Sequence, residues 1–457
     1  MKIIREHSHL AEKFPEYFGA TEPKETKLSW FTHCQEVAEN KVIFYNFISD
    51  AIVMLSKNEY QKIVNKKFSE DSQIYSLLKE NGFFVGKDVD EAAILSRHRV
   101  TMQNTASETM KVVILPTTEC NARCRYCIAQ KNQRIDMTLA TAEKTIEFIT
   151  KASHGYKNVS FNWYGGEPLL KHKLITMMCK EFKLKVPEIN YTSVITTNLV
   201  LFNDEILDSA VTNWHIRKIN ITFDGAEQEH NSRKKYLDKT FNGYKRTVQH
   251  IEKLLAKGIN VHCRFNVDKN NINDLSIILH DIKHFLENEL FFFFVSPLRS
   301  EDNVNDYFPT LEYNEMTYIT NSLLIKNGVV PPVDSLVPKL LTKFCLAKSK
   351  DALVIGADGA IYRCNLSQLN GANATGSVSK GVVKNEVYND FMSIELQQEC
   401  FACKFLPICQ GGCLEQRKNI SETNSPCNKF IFKIAAISKI LTEHYAEADD
   451  KSGKTTT

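Results

Sequence analysis

No stretch of the sequence approaches the roughly 18 consecutive apolar residues that a membrane-crossing helix needs. The best candidate, Ile431 to Leu441, is broken by Lys433 and Lys439, so no membrane span is expected. The N-terminal residues, Met1 to His7, carry early charge and no apolar h-region, so no secretory signal is expected. An excess of one charge sign is also missing: Lys+Arg number 57 and Asp+Glu 54, leaving +3. That balance gives no electrostatic case for nucleic acid or an acidic membrane as partner. No internal repeat stands out beyond a strand–helix alternation. What is present is a globular composition, 43% apolar and 24% charged. Its 457 residues make room for two or three domains, at roughly 150 residues each.

The first hundred residues differ from the rest of the chain. Val42–Tyr45 and Ala51–Leu55 are short apolar runs joined by a polar turn, as in a hairpin. Ser56 is placed to cap a helix over 57–66 and Ser69 another over 70–81, ending near Gly82. Phe83–Val85 then reads as a strand, which makes residues 1–105 a winged-helix-like module. From residue 111 strands alternate with helices. The strands are Val112–Leu115, Val159–Trp163, Tyr191–Thr196, Lys218–Phe223, Asn260–Asn266 and Phe291–Val295. Helical stretches lie near 138–152, 169–184, 203–213, 241–257 and 272–287. Six such units predict an α/β fold, a partial (β/α)6 TIM-like barrel over 106–330, with chemistry gathered where strands end. The four phenylalanines at 291–294 read as a doubly buried strand. Past residue 330 the alternation stops. Residues 331–445 are cysteine-rich with little periodic apolar sequence, so metal ligation would supply what a small core cannot. A lysine-interrupted helix is expected near 428–446, and 446–457 reads as a disordered tail.

Thirteen cysteines, an odd number without a secretion signal, argue against a disulfide framework and for cytoplasmic metal ligands. Three stand within eight residues, Cys120-x3-Cys124-x2-Cys127, directly after the first barrel strand. Seven more fall late: Cys345, Cys364, Cys400, Cys403, Cys409, Cys413 and Cys427. Cys34, Cys179 and Cys263 stand alone and read as core residues, Cys179 on a helix and Cys263 inside a strand. A tetrahedral zinc site or a cubane cluster usually takes four cysteines. Three thiolates in one loop therefore leave a position for another ligand.

The C-x3-C-x2-C loop, with Tyr126 before its last cysteine, resembles that of the radical S-adenosylmethionine superfamily. The resemblance implies a [4Fe–4S] cluster on Cys120, Cys124 and Cys127 whose remaining iron takes the methionine end of S-adenosylmethionine. An electron then cleaves the sulfonium and releases a 5′-deoxyadenosyl radical. Other motifs come in order along the chain. Gly165-Gly166-Glu167-Pro168, ending the second strand, resembles the Gly-Gly-Glu-Pro motif that holds the methionine amine. Paired glycines let backbone approach a ligand, and a carboxylate there can meet an ammonium group. Thr197-Asn198 resembles the Thr-Asn-Gly segment, with Leu199 in place of glycine. Thr222-Phe-Asp224-Gly225 and His230-Asn-Ser-Arg233 resemble the Ser-x-Asp-Gly and His-Asp-x-x-Arg segments of close relatives. Thr222 is thereby a candidate ribose contact and Asn266 a candidate nucleoside contact.

The late cysteines, with Gly359 between the first two, resemble a SPASM domain carrying two auxiliary [4Fe–4S] clusters. The resemblance assigns Cys400, Cys403, Cys409 and Cys427 to one cluster, and Cys345, Cys364 and Cys413 to the other. Residues 339–344 lack the further cysteine that some relatives have there. Three [4Fe–4S] clusters and S-adenosylmethionine are thus the implied cofactors, with a flavodoxin- or ferredoxin-type electron donor. The implied function is maturation of a ribosomally made peptide by a C–C, C–O or C–S (thioether) crosslink. The N-terminal module resembles the element that binds the leader of such a precursor peptide by strand addition. An anaerobic sulfatase maturase, making formylglycine, is the first alternative. Those enzymes have an aspartate acceptor where this sequence has Asn365, which takes up no proton at neutral pH. A non-catalytic iron–sulfur redox sensor is the alternative from another class. The sequence singles out no catalytic acid or base.

Overall fold

The structure, a computed structural model, describes residues 1–8, 14, 17, 25–37, 40–65, 72–124, 126–298, 310–367, 369–418 and 433–445. Cys427 and the expected tail 446–457 lie outside the described residues. No described helix is long and apolar enough to cross a membrane.

The N-terminal module is built on the expected hairpin and adds two strands to it. Strands β1 (Lys2–Arg5), β2 (Thr26–Leu28), β3 (Thr32–Val37), β4 (Lys41–Asn46) and β5 (Ile52–Ser56) come first. Four of them form an antiparallel sheet in the order β1-β5-β4-β3, with Val42 opposite Leu55 and Phe44 opposite Val53. The turn between β4 and β5 is not the polar one expected, since Phe47 and Ile48 are both buried in it. Helix α1 (Lys57–Val64) starts at Ser56, whose hydroxyl accepts the Glu59 N–H while the Glu59 carboxylate accepts the Ser56 N–H. That reciprocal cap satisfies two of the donors a helix start leaves open. Helix α2 (Gln73–Glu80) starts later than expected, at Ser72, which accepts a first-turn N–H, that of Tyr75; Ser69 lies outside the described residues. Strand β6 (Phe84–Gly86) pairs with β2 and not with the hairpin. Helix α3 (Glu91–Asn104), capped by Asp90, was not foreseen; it buries only Glu91, Ile94, Leu95 and His98, too few for a clear apolar stripe.

The barrel strands fall where the periodicity put them. They are β7 (Thr109–Thr117), β8 (Asn158–Gly165), β9 (Asn190–Thr196), β10 (Ile216–Phe223), β11 (Asn260–Val267) and β12 (Phe291–Pro297), parallel and in sequence order. Helices α4 (Leu139–Ala152), α5 (His172–Lys185), α6 (Asp204–Thr212), α7 (Glu227–Lys234), α8 (Gly243–Ala256) and α9 (Asp274–Asp281) connect them. Alternate strand residues, among them Ile114, Phe161, Trp163, Ile221, Cys263 and Phe265, pack in one buried core with the helices. Their neighbours, including Tyr164, Thr222 and Arg264, therefore face the other side of the sheet. Cys179 and Cys263 are core residues, as expected, while Cys34, on β3, is only partly buried at the margin of a core cluster. β12 is an edge strand and not doubly buried: Phe291 and Phe293 enter the core, while Phe292 and Phe294 stay partly exposed and stack on each other.

The cysteine-rich region does not stand apart. Its strand β13 (Ala352–Ile355) pairs parallel with β7, and β14 (Ile361–Tyr362) pairs antiparallel with β13, extending the barrel sheet to eight strands. Helices α10 (Thr310–Lys326) and α11 (Ile434–His444) pack together. Ile434, Ile437, Ile440 and Leu441 of α11 share a core with Ile43, Tyr45 and Phe47 of the N-terminal module. The same core takes in Leu336, Phe405 and Ile408, and Tyr45 Oη lies 2.7 Å from Ser438 Oγ. The small core expected of the last segment is thus a shared one.

Candidate functional site

β7 delivers the chain at Thr117 into the loop that carries Cys120, Cys124 and Cys127. The loop is held from three sides. At the end of α7, the Lys234 carbonyl accepts the Arg123 N–H at 2.9 Å, and the Leu237 N–H donates to the Asn121 carbonyl at 2.9 Å. After β9, Asn198 Nδ2 donates to Asn121 Oδ1 at 2.7 Å. After β8, the Gly166 N–H reaches the Thr117 carbonyl at 3.1 Å and the Glu167 N–H the Glu119 carbonyl at 2.8 Å. The glycines make that last approach sterically allowed. A Cβ on Gly165, at φ +121, would lie 2.2 Å from Thr117 O, and one on Gly166 would lie 2.0 Å from Glu119 O.

The three thiols share one electrostatic field. Burial pushes Cys120 up to about 12, and Glu167, Cys124 and Cys127 add to the rise. Cys124 is also raised by burial, against the pull of Lys234. Thiols held in this way give up their protons when a metal cation arrives. A further buried donor in the loop, Asn121 Nδ2, has no partner. Among the described residues no three His, Cys, Asp or Glu side chains converge on a single-ion position. The thiol chemistry and the close glycine cradle fit a cluster-bearing loop.

Glu167 is fully buried, and its carboxylate is already engaged. Oε1 accepts from Thr197 Oγ1 at 2.6 Å and the Leu169 N–H at 3.1 Å; Oε2 accepts the Asn198 N–H at 2.8 Å. Burial still leaves its proton affinity above the ordinary range. Its observed contacts tie the ends of β8 and β9 together, and Pro168 opens the next short turn.

Tyr126, Thr222 and Asn266, from three separate segments, are brought into one buried network. Tyr126 Oη donates to Asp224 Oδ2 at 2.7 Å, and Asn266 Nδ2 donates to Asp224 Oδ1 at 2.6 Å. Lys234 Nζ lies 2.6 Å from Thr222 Oγ1, 3.2 Å from Tyr126 Oη and 3.1 Å from Asp224 Oδ2. Burial would raise the Asp224 carboxyl, but Lys234 and the bonds from Tyr126 and Asn266 hold it below its usual range. Burial would likewise lower Lys234, but Asp224 keeps it well above its ordinary value. His230 is driven down to about 3 by burial and by Lys234, so it is neutral. Its Nδ1 accepts the Asp224 N–H at 3.3 Å, which leaves Nε2–H for Tyr236 Oη. Lys234 escaped sequence reasoning. It ends a helix of polar residues, Glu-Gln-Glu-His-Asn-Ser-Arg-Lys, where a lysine reads as solvated. Arg264, facing the inner side of β11, keeps a buried Nε without a partner.

Several late cysteines lie on short hydrogen-bonded turns. The Cys403 N–H bonds the Cys400 carbonyl, the Cys409 N–H that of Phe405, and the Gly412 N–H that of Cys409. Cys364 is buried, its sulfur 3.4 Å from the Leu366 N–H, while Cys345 is exposed. Cys364 shares an apolar cluster with Ala347 and Leu414, next to Cys413. Cys345 and Cys409 line one cavity of about 250 Å³.

Residues 114–282 match the Radical SAM superfamily. An uncharacterised protein of Methanocaldococcus jannaschii is 26% identical over 65% of this chain and 96% of its own length. A cysteine-type anaerobic sulfatase-maturating enzyme of Clostridium perfringens is 22% identical over 70% of this chain and 93% of its own. The solved structure of native anSMEcpe with bound AdoMet and Cp18Cys peptide superposes with a TM-score of 0.56 at 16% identity, covering 75% of this chain and 98% of that one. That likeness is one of fold. The stretch that is similar to the Radical SAM superfamily, residues 114–282, runs from β7 and the cysteine loop through Asp224 to the helix after the fifth barrel strand.

Proposed function

We propose that this chain is a radical SAM enzyme that modifies a ribosomally made peptide, crosslinking side chains by a C–C, C–O or thioether bond. The observation that carries the reading is the edge of β3, a strand against which α11 also packs. It pairs with β4 on one side and, among the described residues, with no strand on the other. Its unpaired backbone groups suit strand addition by an extended leader peptide. Trp30, half exposed, and Lys404, which lies over its ring and donates to the Thr32 carbonyl, stand at one end of that edge. The peptide bound by anSMEcpe supports a peptide as substrate class.

Cys120, Cys124 and Cys127 would hold a [4Fe–4S] cluster, which when bound supplies the electron that opens S-adenosylmethionine to a 5′-deoxyadenosyl radical. Gly165 and Gly166 would present backbone to the methionine end. Glu167 positions that turn through Thr197 and Asn198. Thr222, Tyr126 and Asn266 would meet the nucleoside side, with Asp224 and Lys234 fixing their orientation. Cys400, Cys403, Cys409 and Cys427 would hold one auxiliary cluster, and Cys345, Cys364 and Cys413 the other. An electron donor of the flavodoxin or ferredoxin type would serve them in a cytoplasmic setting. The sulfatase-maturating relative favours formylglycine formation as a second reading, against which stands Asn365 beside Cys364.

The test is anaerobic reconstitution, iron counting and assay of 5′-deoxyadenosine with S-adenosylmethionine and a strong reductant. Three cubanes give about 12 irons per chain. Cys124→Ala should lose about four of them and all nucleoside release. Unchanged release in that variant would remove the radical assignment. With a co-expressed precursor peptide, loss of two hydrogens without a carbonyl-reactive product marks crosslinking; a serine or cysteine converted to a carbonyl-reactive aldehyde marks the second reading.

A further inference from the structure

Four cations line the cavity that Cys345 and Cys409 share; Lys343 is exposed, and the other three are more enclosed. Arg99 comes from α3, Lys348 from the turn after Cys345, and Arg417 from the segment after Cys413. Their hydrogen bonds go to neutral oxygens: Arg99 to Gln410 Oε1, Lys348 to the Ile394 carbonyl, and Arg417 to the Glu395 carbonyl. Arg99 and Lys348 both lie over the Phe344 ring, at 5.6 and 5.7 Å. Among the described residues no carboxylate forms an ion pair with any of the three. Glu395 attracts Lys348, the weakest of the influences on it, without forming an ion pair. Burial, and then mutual repulsion, lowers the proton affinity of Arg99 and Lys348, while the Cys400 sulfur raises that of Arg99. Gathered like charges cost free energy unless an anion stands among them. The cavity walls offer two thiols and no acid, so no lining side chain other than Cys345 and Cys409 can supply that negative charge.

We infer that Arg99, Lys348 and Arg417 form a cationic collar that raises the reduction potential of the auxiliary iron–sulfur centres. The inference rests on the proposed auxiliary clusters and assigns these three residues a role toward them. A thiolate-ligated cluster is anionic, and each added electron makes it more so. Fixed positive charge nearby favours the reduced form, and net charge around a cluster is one of the factors that set its potential. Arg99 is the member with reach: it belongs to the helix that links the N-terminal module to β7, yet it stands beside Cys400.

The experiment is an EPR-monitored potentiometric titration of the full chain. It is reconstituted anaerobically in a Cys120→Ala, Cys124→Ala, Cys127→Ala background, so that only auxiliary centres contribute. Arg99→Gln with Arg417→Gln should make the one-electron midpoint more negative by at least a tenfold change in equilibrium constant, about 59 mV. Arg99→Lys with Arg417→Lys, which keeps the charge, should restore it. Lys348→Gln supplies the same test should the arginine pair fail to take up iron. An unmoved midpoint with undiminished iron overturns the collar and leaves the auxiliary clusters standing. No iron in the parent background overturns the clusters themselves, and the collar with them.

Discussion

Gly166→Ala is expected to lose more than about 4 kcal/mol of stability, in the range that marks a specific structural conflict. The added Cβ would lie 2.0 Å from the Glu119 carbonyl oxygen and 2.5 Å from its carbon. Both are backbone atoms, so no flexible side chain can move aside. Relief requires the turn after β8 to part from the cysteine loop, which breaks the Gly166–Thr117 and Glu167–Glu119 hydrogen bonds. Those bonds fix Glu119, the residue before Cys120, so iron uptake should fall together with stability. Gly258→Ala is the control. That glycine has φ +74 with nothing within 4 Å of its would-be Cβ, so it carries only the left-handed penalty of about 1–2 kcal/mol. Thermal unfolding and iron content of the two variants make the comparison. Equal losses would show that the close approach is not needed.

Lys234→Met is expected to cost about 3–5 kcal/mol, because it leaves a buried carboxylate without its cation. The side chains of Asp224 and Lys234 are 0% and 4% exposed, so water cannot substitute. Asp224 would keep only the Tyr126 and Asn266 hydrogen bonds. Asp224→Asn combined with Lys234→Met should recover much of the loss, since a neutral pair carries no stranded charge. Urea unfolding of the single and double variants reads this directly. A single variant within about 0.5 kcal/mol of the parent would place the ammonium in solvent, as surface changes behave.

The barrel was legible because its strands and helices repeat a local signal. Each strand alternates toward a shared core, and each helix is bounded by residues such as Thr138, Asn203 and Asn242 whose side chains cap it. The cysteine loop and the glycine pair were legible because their residue types have few other uses at that spacing. Strands β1, β2 and β3 were not. β1 and β2 are short and become strands by pairing with β5 and β6, far along the chain, while β3 is polar and becomes one through its hairpin with β4. Lys234 was hidden for a related reason. Its sequence neighbours are charged and its helix is mostly exposed, so only the fold reveals that this one side chain turns inward to Asp224. The same holds for α3, whose value lies in what it reaches at Phe344 and Gln410.

The core shared by the two ends of the chain also sets a schedule for synthesis. Tyr45 and Ser438 meet across 393 residues. Translation at about 5–20 residues per second separates their appearance by roughly 20 to 80 seconds. Through that interval the face of the N-terminal sheet that carries Ile43, Tyr45 and Phe47 has no α11 to cover it. The nascent chain therefore leaves the ribosome with an apolar face waiting for its last helix, a demand on chaperones that the finished protein no longer shows.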